Sequence, residues 1–537
     1  MRPTLPPPPN APEQLVASRC LTALRYDRQY GHRTATTGIA MNAPRLTTNY
    51  KSISFRLATV LLSLVPFLAF EGLLRLTGWQ PPPQLDDPYL GIRETRPLFV
   101  HQPDQQRSVI PDSRQLLFRP ESFTWPKPED EFRIFCLGGS TVQGRPFAIE
   151  TAFSTWLELS LQQCDPSRSW EVVNCGGVSY ATYRLVPVVR EILQYKPDLL
   201  VLYTGHNEFL EDRSYAHLKR RPSVVSNIQS HLSRLRVVQF PRALWNRTDP
   251  TQPGTTLAAE VDALLDYQGG LADYHRDPEW RQMVIEHFQY NLDKMLQLAL
   301  QAGVPVILID PVSNIKDTPP FKSVVDTSLS SDQRKRFETL WSSARELLPG
   351  SEGKQQHLLR QALEIDPGHA GAHYLLGRVQ ESLRHYDQAK ASYLRAKDED
   401  ICPLRMLEPM HRVLRTTAKR LDVPLLELRR TWEQQARHGL IGDELLLDHV
   451  HPNISGHQKI AEMLIEQMVS LALVAPGEGW KTRQKQSYAE HLETLDTTYF
   501  ARGKERLEGL RRWTQGRSGK LKPVGNKSSA RSRAAAR

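Results

Sequence analysis

Cysteine is scarce in this chain, and the spacing of the few cysteines is as informative as their number. Five cysteines occur among 537 residues, and none forms a CxxC pair. A disulfide-stapled scaffold and a structural zinc site both need closely spaced cysteines. The sequence therefore argues against both, and it leaves open one disulfide among Cys136, Cys164 and Cys175.

Acidic residues are nearly missing from the two ends of the chain. Residues 1–56 carry eight Lys or Arg against two acids, and residues 514–537 carry seven Lys or Arg and no acid. Subtracting the resulting +6 and +7 from the formal net charge of +10 leaves −3 for everything between. Basic tails can meet nucleic acid or anionic lipid, but solvated disorder is the commoner outcome. We therefore expect a mildly acidic body and no nucleic-acid partner.

One apolar run stands out near the N-terminus. Residues 57–70 contain no charge, and the run continues to Leu74 with one acid, for eighteen residues in total. Lys51 and Arg56 precede it, which is the flank expected on the cytoplasmic side of a membrane. No A-x-A cleavage site follows, so the pattern favours an uncleaved anchor over 53–76 that places the body outside the cytoplasm. A cleaved signal peptide and a buried soluble helix are the alternatives.

Apolar strands alternate with helical patterns from about residue 131 onward. Such alternation is typical of a parallel sheet with helices on both faces, so the predicted fold class is α/β. The predicted strands are 132–137, 171–175, 198–203, 304–309 and 422–427, and the predicted helices are 148–163, 182–194, 284–302 and 454–474.

Two insertions interrupt this alternation, at 210–283 and at 337–400. The second one resembles a tetratricopeptide repeat, because Gly377, Ala389 and Tyr393 fall where that repeat needs small and apolar residues. The resemblance implies a small all-α insertion of one full and one partial copy that packs against the α/β body and offers a site for a protein partner. A plain helical hairpin is the alternative.

Four short blocks fall at the ends of predicted strands. In a parallel sheet such loops emerge at one edge, so their side chains can converge. The blocks offer a hydroxyl nucleophile, backbone amides, a side-chain amide donor and an imidazole beside a carboxylate, which are the groups that acyl transfer needs. They are Gly138-Gly139-Ser140-Thr141, Asn174 to Tyr180, Gly205-His206-Asn207-Glu208, and Asp448-His449-Val450-His451-Pro452.

This ordered set resembles the SGNH, or GDSL-type, hydrolase superfamily over roughly 130–210, 284–325 and 402–474. The resemblance implies a flavodoxin-like three-layer sandwich, with Ser140 as nucleophile, His451 as general base and Asp448 as the carboxylate that orients it. It implies Asn207 as an oxyanion donor beside the Ser140 amide. No cofactor is implied.

The chain departs from the superfamily pattern at three places. Gly139 replaces the usual Asp of the first block, and Glu208 replaces the usual Asp of the third. In the second block the usual oxyanion glycine falls near Ser179, whereas the chain offers Gly176 and Gly177. Gly177 is taken as the donor, and the identity of the second-block donor stays open.

Several nearby residues have two interpretations. His449, His451 and His457 with Asp448 suggest a metal site, but no further strong ligand accompanies them, so none is predicted. His206 is interpreted as structural or substrate-facing, as is His449, and Asn207 as a simple cap is the alternative to its catalytic role. Asp317 and Lys322 lie in a loop at the same edge, where they are candidates to touch substrate.

The function predicted from these features is a membrane-tethered, extracytoplasmic serine esterase that hydrolyses or transfers acyl groups on carbohydrate or lipid esters. The alternative is a membrane-bound interaction protein with a catalytically silent body. Met41 is an alternative start. The predicted organisation is 1–52 basic and disordered, 53–76 anchor, 77–130 spacer, 131–336 first part of the hydrolase domain, 337–400 helical insertion, 401–475 last part of the hydrolase domain, and 476–537 helical then basic tail.

Overall fold

The computed structural model describes residues 50–77, 92–94, 96–211, 236–237, 240–241, 255–256, 261–267 and 269–515. The chain divides into two units, residues 1–73 and 74–537. Residues 1–49 of the predicted disordered segment 1–52, most of the insertion 210–283 and the basic end of the tail lie outside the described residues, and residues 50–52 belong to a helix. The predicted anchor falls on helix α1 (Tyr50–Leu76). Within the described ranges, no helix combines the length and the apolar character needed to span a membrane.

Ten strands form three sheets in the described residues. β1 pairs with β8, β2–β3–β4 form an antiparallel sheet, and the remaining five form a parallel sheet. The strands are β1 (Ile92–Glu94), β2 (Val100–Gln102), β3 (Arg107–Val109), β4 (Ser122–Thr124), β5 (Glu131–Gly138), β6 (Ser169–Gly176), β7 (Leu199–Tyr203), β8 (Thr255–Thr256), β9 (Val306–Ile309) and β10 (Leu425–Leu426).

The helices that follow α1 connect and cover these strands. They are α2 (Ser140–Gln143), α3 (Phe153–Cys164), α4 (Thr182–Ile192), α5 (Pro278–Gln301), α6 (Ser331–Glu346), α7 (Glu352–Ile365), α8 (Ala370–Ser382), α9 (Tyr386–Asp398), α10 (Glu408–Leu421), α11 (Leu428–Gln435), α12 (Ile454–Ser470), α13 (Trp480–Glu493) and α14 (Thr497–Thr514).

The parallel sheet has the order β6–β5–β7–β9–β10. Counted along the chain this is 2-1-3-4-5, the flavodoxin-like order, in which the carboxyl ends of the first and third strands flank the point where the order reverses. The α/β fold class expected from the sequence is therefore confirmed. The order also places the loops after β5, β6 and β7 side by side, which is where the first three blocks lie.

Both faces of this sheet are buried, which makes the fold a three-layer sandwich. Along β5, Phe135 and Leu137 join the core that contains α4, α5 and α10, while Ile134 and Cys136 join the core that contains α3 and α12. Successive side chains of a strand point to opposite faces, so a strand buried on both sides must be apolar at every position. This explains why the strand segments read as continuous apolar runs.

The segment assigned to a spacer contributes to the body. β2, β3 and β4 lie within it, and Phe99 and Phe123 are both buried, with ring centroids 4.9 Å apart. Phe123 also packs edge-on against Phe135 of β5 at 5.5 Å. The segment therefore packs on the α/β body, and the domain boundary at 130 stays a prediction. Three-residue strands and scattered aromatics carry no periodic signal that separates them from a linker.

Helices α6 to α9 form an extra helical region from Ser331 to Asp398, which overlaps the predicted insertion 337–400. A Cβ on Gly377 would lie 2.7 Å from the Tyr393 ring, so α8 and α9 touch closely where a small residue was expected. Tyr374 donates to the Lys316 carbonyl at 2.7 Å, and the buried Lys397 pairs with Glu408 at 2.7 Å. The region thus rests on the α/β body, and its assignment to the tetratricopeptide family stays a prediction.

The four cysteines in the described part of the chain are free and buried. The possible disulfide among Cys136, Cys164 and Cys175 is therefore not formed in this structure.

Candidate active site

The nucleophile turn is built by two glycines that allow close approach of other segments. A Cβ on Gly138 would lie 2.0 Å from the Tyr203 carbonyl oxygen of the neighbouring strand. A Cβ on Gly139 would lie 2.4 Å from the Asn207 side-chain nitrogen. Any larger residue at 139 would therefore displace Asn207 from the turn. Ser140 follows as the first residue of α2, partly exposed at the carboxyl edge of the sheet.

Ser140, His451 and Asp448 form a continuous hydrogen-bonded chain. The Ser140 hydroxyl lies 2.7 Å from His451 Nε2, and His451 Nδ1 lies 2.8 Å from Asp448 Oδ2. Asp448 Oδ1 accepts the backbone N–H groups of Val450 and His451, each at 2.9 Å. These two hydrogen bonds hold the carboxylate against the backbone of its own loop, on the side where the His451 side chain lies. The three-residue spacing thereby brings carboxylate and imidazole together.

The charge state of Asp448 suits a carboxylate that orients the His451 imidazole as a base. Burial by itself raises the pKa of the Asp448 carboxyl, but the imidazoles of His451 and His449 and the hydrogen bond from His451 lower it, and the resulting pKa lies below the ordinary value. Asp448 therefore stays ionised at neutral pH, although its side chain is 6 % exposed. An ionised carboxylate on Nδ1 keeps the proton there and leaves Nε2 free to accept the serine proton.

Asn207 stands beside the nucleophile turn, where the resemblance placed an oxyanion donor. Its side-chain nitrogen donates to the Tyr180 carbonyl at 3.1 Å, which leaves its second N–H available. The neighbouring Glu208 is fully buried and accepts from the backbone N–H and the hydroxyl of Thr182, at 2.8 and 2.9 Å. Glu208 thus holds the first residue of α4, a structural role in the place of the usual Asp.

The second block does not present the Gly177 amide to the site in this conformation. That N–H donates to the Gly138 carbonyl at 3.0 Å, and the Gly176 N–H donates to Asn174 Oδ1 at 2.9 Å. Ser179, by contrast, has φ of +62°, in the left-handed region that serine rarely adopts. Among the described residues, no acceptor receives the backbone N–H of Ser179 or that of Ser140. The usual glycine position near 179 is thus occupied by a serine in a glycine-like conformation.

Two histidines close to these blocks are held as neutral structural groups. His206 Nδ1 accepts the Met406 N–H at 3.2 Å, and burial lowers the pKa of His206 well below its ordinary value. His449 packs edge-on against Phe321 at 5.2 Å, and burial lowers the pKa of His449 to about 4. In the described part of the chain, no cluster of three or more His, Cys, Asp or Glu side chains could hold a metal ion.

The two loop residues considered for substrate contact are used within the protein. Lys322 donates to the backbone carbonyls of Leu271 and Tyr274 at 2.6 and 2.7 Å. Asp317 accepts the Asp443 N–H at 3.0 Å, in keeping with its alternative reading as a turn residue. Their role in substrate contact stays a prediction.

Gln143 is a site residue that sequence reasoning missed. Its buried amide donates to the Leu117 carbonyl at 2.8 Å and to the Gly176 carbonyl at 3.1 Å, so it ties the nucleophile turn to the second block. Nothing in the sequence marks it, because both of its partners are backbone groups from distant segments. Helix α14 also reaches this edge, since its Arg511 donates to the Leu447 carbonyl at 3.0 Å.

No protein-family model and no curated protein sequence matches this chain. Among solved structures, it is similar to a lipase/acylhydrolase from Enterococcus faecalis, with 12% identity, a TM-score of 0.29, and coverage of 65% of this chain and 100% of that one. It is also similar to the acetylxylan esterase Axe2 from Geobacillus stearothermophilus, with 11% identity, a TM-score of 0.29, and coverage of 63% and 94%. A putative lipolytic protein of the G-D-S-L family from Desulfitobacterium hafniense gives 12% identity, a TM-score of 0.27, and coverage of 62% and 98%. The assignment of the fold rests on the strand order, and the chemistry rests on the site geometry.

Proposed function

We propose that this chain is a serine esterase that acts on acyl esters of carbohydrates or lipids through Ser140, His451 and Asp448. The observation that carries the proposal is the pair of hydrogen bonds made by the His451 imidazole. Its Nε2 lies 2.7 Å from the Ser140 hydroxyl, and its Nδ1 lies 2.8 Å from Asp448 Oδ2. An unactivated serine hydroxyl is a weak nucleophile, and an imidazole within hydrogen-bond reach is the group that activates it. The base is in turn oriented by a third group, which completes the arrangement that acyl transfer requires.

In the first half of the reaction, Ser140 Oγ attacks the ester carbonyl carbon while His451 Nε2 takes the hydroxyl proton. The carbonyl oxygen becomes an oxyanion, and the C–O bond to the alcohol then breaks as His451 returns the proton to the leaving oxygen. In the second half, water or a sugar hydroxyl attacks the acyl-serine, and its proton passes through His451 back to Ser140. Hydrolysis and acyl transfer therefore share one intermediate and differ in the acceptor.

We assign the oxyanion to three donors: the Ser140 amide, the Asn207 side chain and the Ser179 amide. Ser179 takes the place that sequence analysis gave to Gly177, because the Gly177 N–H already has a carbonyl acceptor. A left-handed serine costs about 1–2 kcal/mol, and such strain is concentrated at functional sites. An amide needs no particular side chain, so serine can serve where glycine is usual.

The test is covalent labelling with a fluorophosphonate probe, followed by turnover of short-chain and acetylated-sugar esters. Ser140→Ala is expected to abolish labelling and turnover and to leave the fold intact, because the change removes one hydroxyl. Ser113→Ala, which removes an exposed hydroxyl elsewhere on the surface, is the matched control and should label like the wild type. Full turnover by Ser140→Ala on every ester that the wild type cleaves would rule out the serine mechanism. The alternative of a catalytically silent interaction protein would then be favoured.

The membrane tether and the extracytoplasmic location remain proposals that rest on the sequence of residues 57–74 and its basic flank. Cell fractionation tests them. Recovery of the full-length protein from the soluble cytoplasm would rule both out, and a mature N-terminus near 70 would replace the anchor by a cleaved signal peptide.

A further inference from the structure

Two arginines that are far apart in the sequence lie beside the nucleophile turn. Arg145 follows the turn directly, and its backbone N–H donates to the Ser140 carbonyl at 3.1 Å. Arg506 lies on α14, and its guanidinium donates to the Phe147 carbonyl at 2.9 Å. The two positions are far apart in the sequence and converge because α14 packs on the loop that leaves α2.

A third arginine, Arg119, joins them from the side of the second block. It follows Phe118, whose ring packs edge-on against the Tyr180 ring with centroids 4.8 Å apart. A Cβ on Gly177 would lie 2.9 Å from the Phe118 ring, so this segment lies directly against the second block. Arg119 thus borders the loop that carries the proposed Ser179 donor.

We define Arg119, Arg145 and Arg506 as the arginine trio, and in the part of the chain that the structure describes no carboxylate makes a direct contact with it. Within the described ranges, none of the three forms an ion pair within 4.0 Å. Arg145 Nε donates to the neutral Gln143 amide at 3.2 Å, and Arg119 Nε is buried with no hydrogen-bond partner. Glu150 lies near enough to raise the pKa of Arg119 but makes no ion pair with it.

The three guanidinium groups also repel one another. Burial, and then the charges of Arg119 and Arg506, lower the pKa of Arg145 to about 10. Burial and the charge of Arg506 likewise lower the pKa of Arg119. Holding three partly buried cations together without an anion is unfavourable, since like charges in a low-dielectric setting repel strongly.

Two arginines elsewhere in the described residues are neutralised by carboxylates, whereas the buried Arg114 donates to the Tyr180 hydroxyl at 3.1 Å and forms no ion pair. The buried Arg133 pairs with Glu131 and Glu171, both at 2.7 Å, and the half-buried Arg276 pairs with Asp366 at 2.9 Å. Among the described residues, the arginine trio differs from these two arginines in having no carboxylate within ion-pair distance.

We propose that the arginine trio binds an anionic group, a carboxylate or a phosphate, carried by the ester substrate next to its scissile bond. The inference rests on the proposed esterase function, and it narrows the substrate to acylated acidic carbohydrates or acylated sugar phosphates. Arginine suits both groups, because its planar fork donates two parallel hydrogen bonds to carboxylate or phosphate oxygens. The position beside Ser140 would orient the charged ester for attack.

The test measures binding to the full chain carrying Ser140→Ala, which prevents turnover, by calorimetric titration with glucuronate, glucose 6-phosphate and glucose. Both anions are expected to bind more tightly than glucose, with affinity that falls as salt is raised. Arg119→Gln and Arg506→Gln should each weaken anion binding by about 10–100-fold, the effect of losing one charge-assisted hydrogen bond. Lys504→Gln, an exposed cation on the opposite face of α14, is the matched control and should bind like the parent.

The variants also separate charge from structure. Arg506→Lys keeps the charge on α14 and should recover part of the affinity that Arg506→Gln loses, whereas a purely structural loss would persist. Binding of glucuronate alone would assign a carboxylate, and binding of glucose 6-phosphate alone would assign a phosphate. Equal affinity for glucose and both anions, or unchanged affinity in Arg119→Gln and Arg506→Gln, would overturn the proposal.

Probe labelling of the wild type keeps this inference separate from the esterase proposal. Labelling without anion binding would overturn the anion site alone, and anion binding without labelling would overturn the esterase alone.

Discussion

Replacing Asp448 by Asn tests the role of the carboxylate in the Ser140–His451–Asp448 hydrogen bonds with the smallest change in side-chain shape. In the structure, Asp448 Oδ1 accepts two backbone N–H groups at 2.9 Å, while Oδ2 faces His451 Nδ1 at 2.8 Å. An asparagine must keep its oxygen on the two backbone donors, because the opposite orientation would set its NH₂ against them. Its NH₂ then faces Nδ1, which forces the imidazole proton onto Nε2. In that tautomer His451 donates to Ser140 and can no longer accept its proton.

The expected loss in kcat is on the order of 10⁴-fold, by analogy with the same change in serine proteases. At 1.36 kcal/mol per tenfold this is about 5.4 kcal/mol of lost transition-state stabilisation. The assay is steady-state hydrolysis of p-nitrophenyl acetate together with the rate of fluorophosphonate labelling, with thermal unfolding as the check on the fold. Glu444→Gln changes an exposed carboxylate in the same loop and should stay within about twofold of the wild type. A folded Asp448→Asn enzyme with more than a tenth of the wild-type rate would refute the reasoning, because the carboxylate would then not set the tautomer.

Three further predictions follow from the same geometry. Asn207→Ala should lower kcat roughly 10²–10³-fold with KM nearly unchanged, and a loss below tenfold would remove Asn207 from the oxyanion site. Ser179→Gly keeps the amide and relieves the left-handed strain, so activity should persist and urea unfolding should show between zero and about 1 kcal/mol of added stability. A tenfold fall in activity would instead mean that the Ser179 side chain contacts substrate. His449 is held neutral with a pKa of about 4, so only the unfolded state gains its proton below pH 6.5, and the native state loses stability as pH falls. The stability advantage of the wild type over His449→Gln should therefore shrink by about 2 kcal/mol between pH 7 and pH 5, and an unchanged difference in urea unfolding would contradict that burial.

Local chemistry was enough to predict the main strands of the parallel sheet. β5, β6 and β7 were predicted within two residues at each end, because strands buried on both faces must be continuously apolar. The residue types at the strand ends indicated the groups that acyl transfer needs, and the resemblance to the SGNH superfamily supplied the roles of Ser140, His451 and Asp448. β10 was predicted over six residues and spans two, since the sequence shows an apolar run but not how much of it finds a partner strand.

What the sequence could not decide depends on contacts between distant segments. Packing between distant segments sets the strand order, the burial of Phe99 and Phe123, and the hydrogen bonds of Gln143. The local periodicity of the sequence does not encode this packing. The second block shows this most clearly: its glycines marked Gly177 as the donor, but the Gly138 carbonyl takes that amide, and the chain turns left-handed at Ser179 instead. A sequence specifies which hydrogen-bond donors exist, whereas only the tertiary structure decides which of them already have an acceptor.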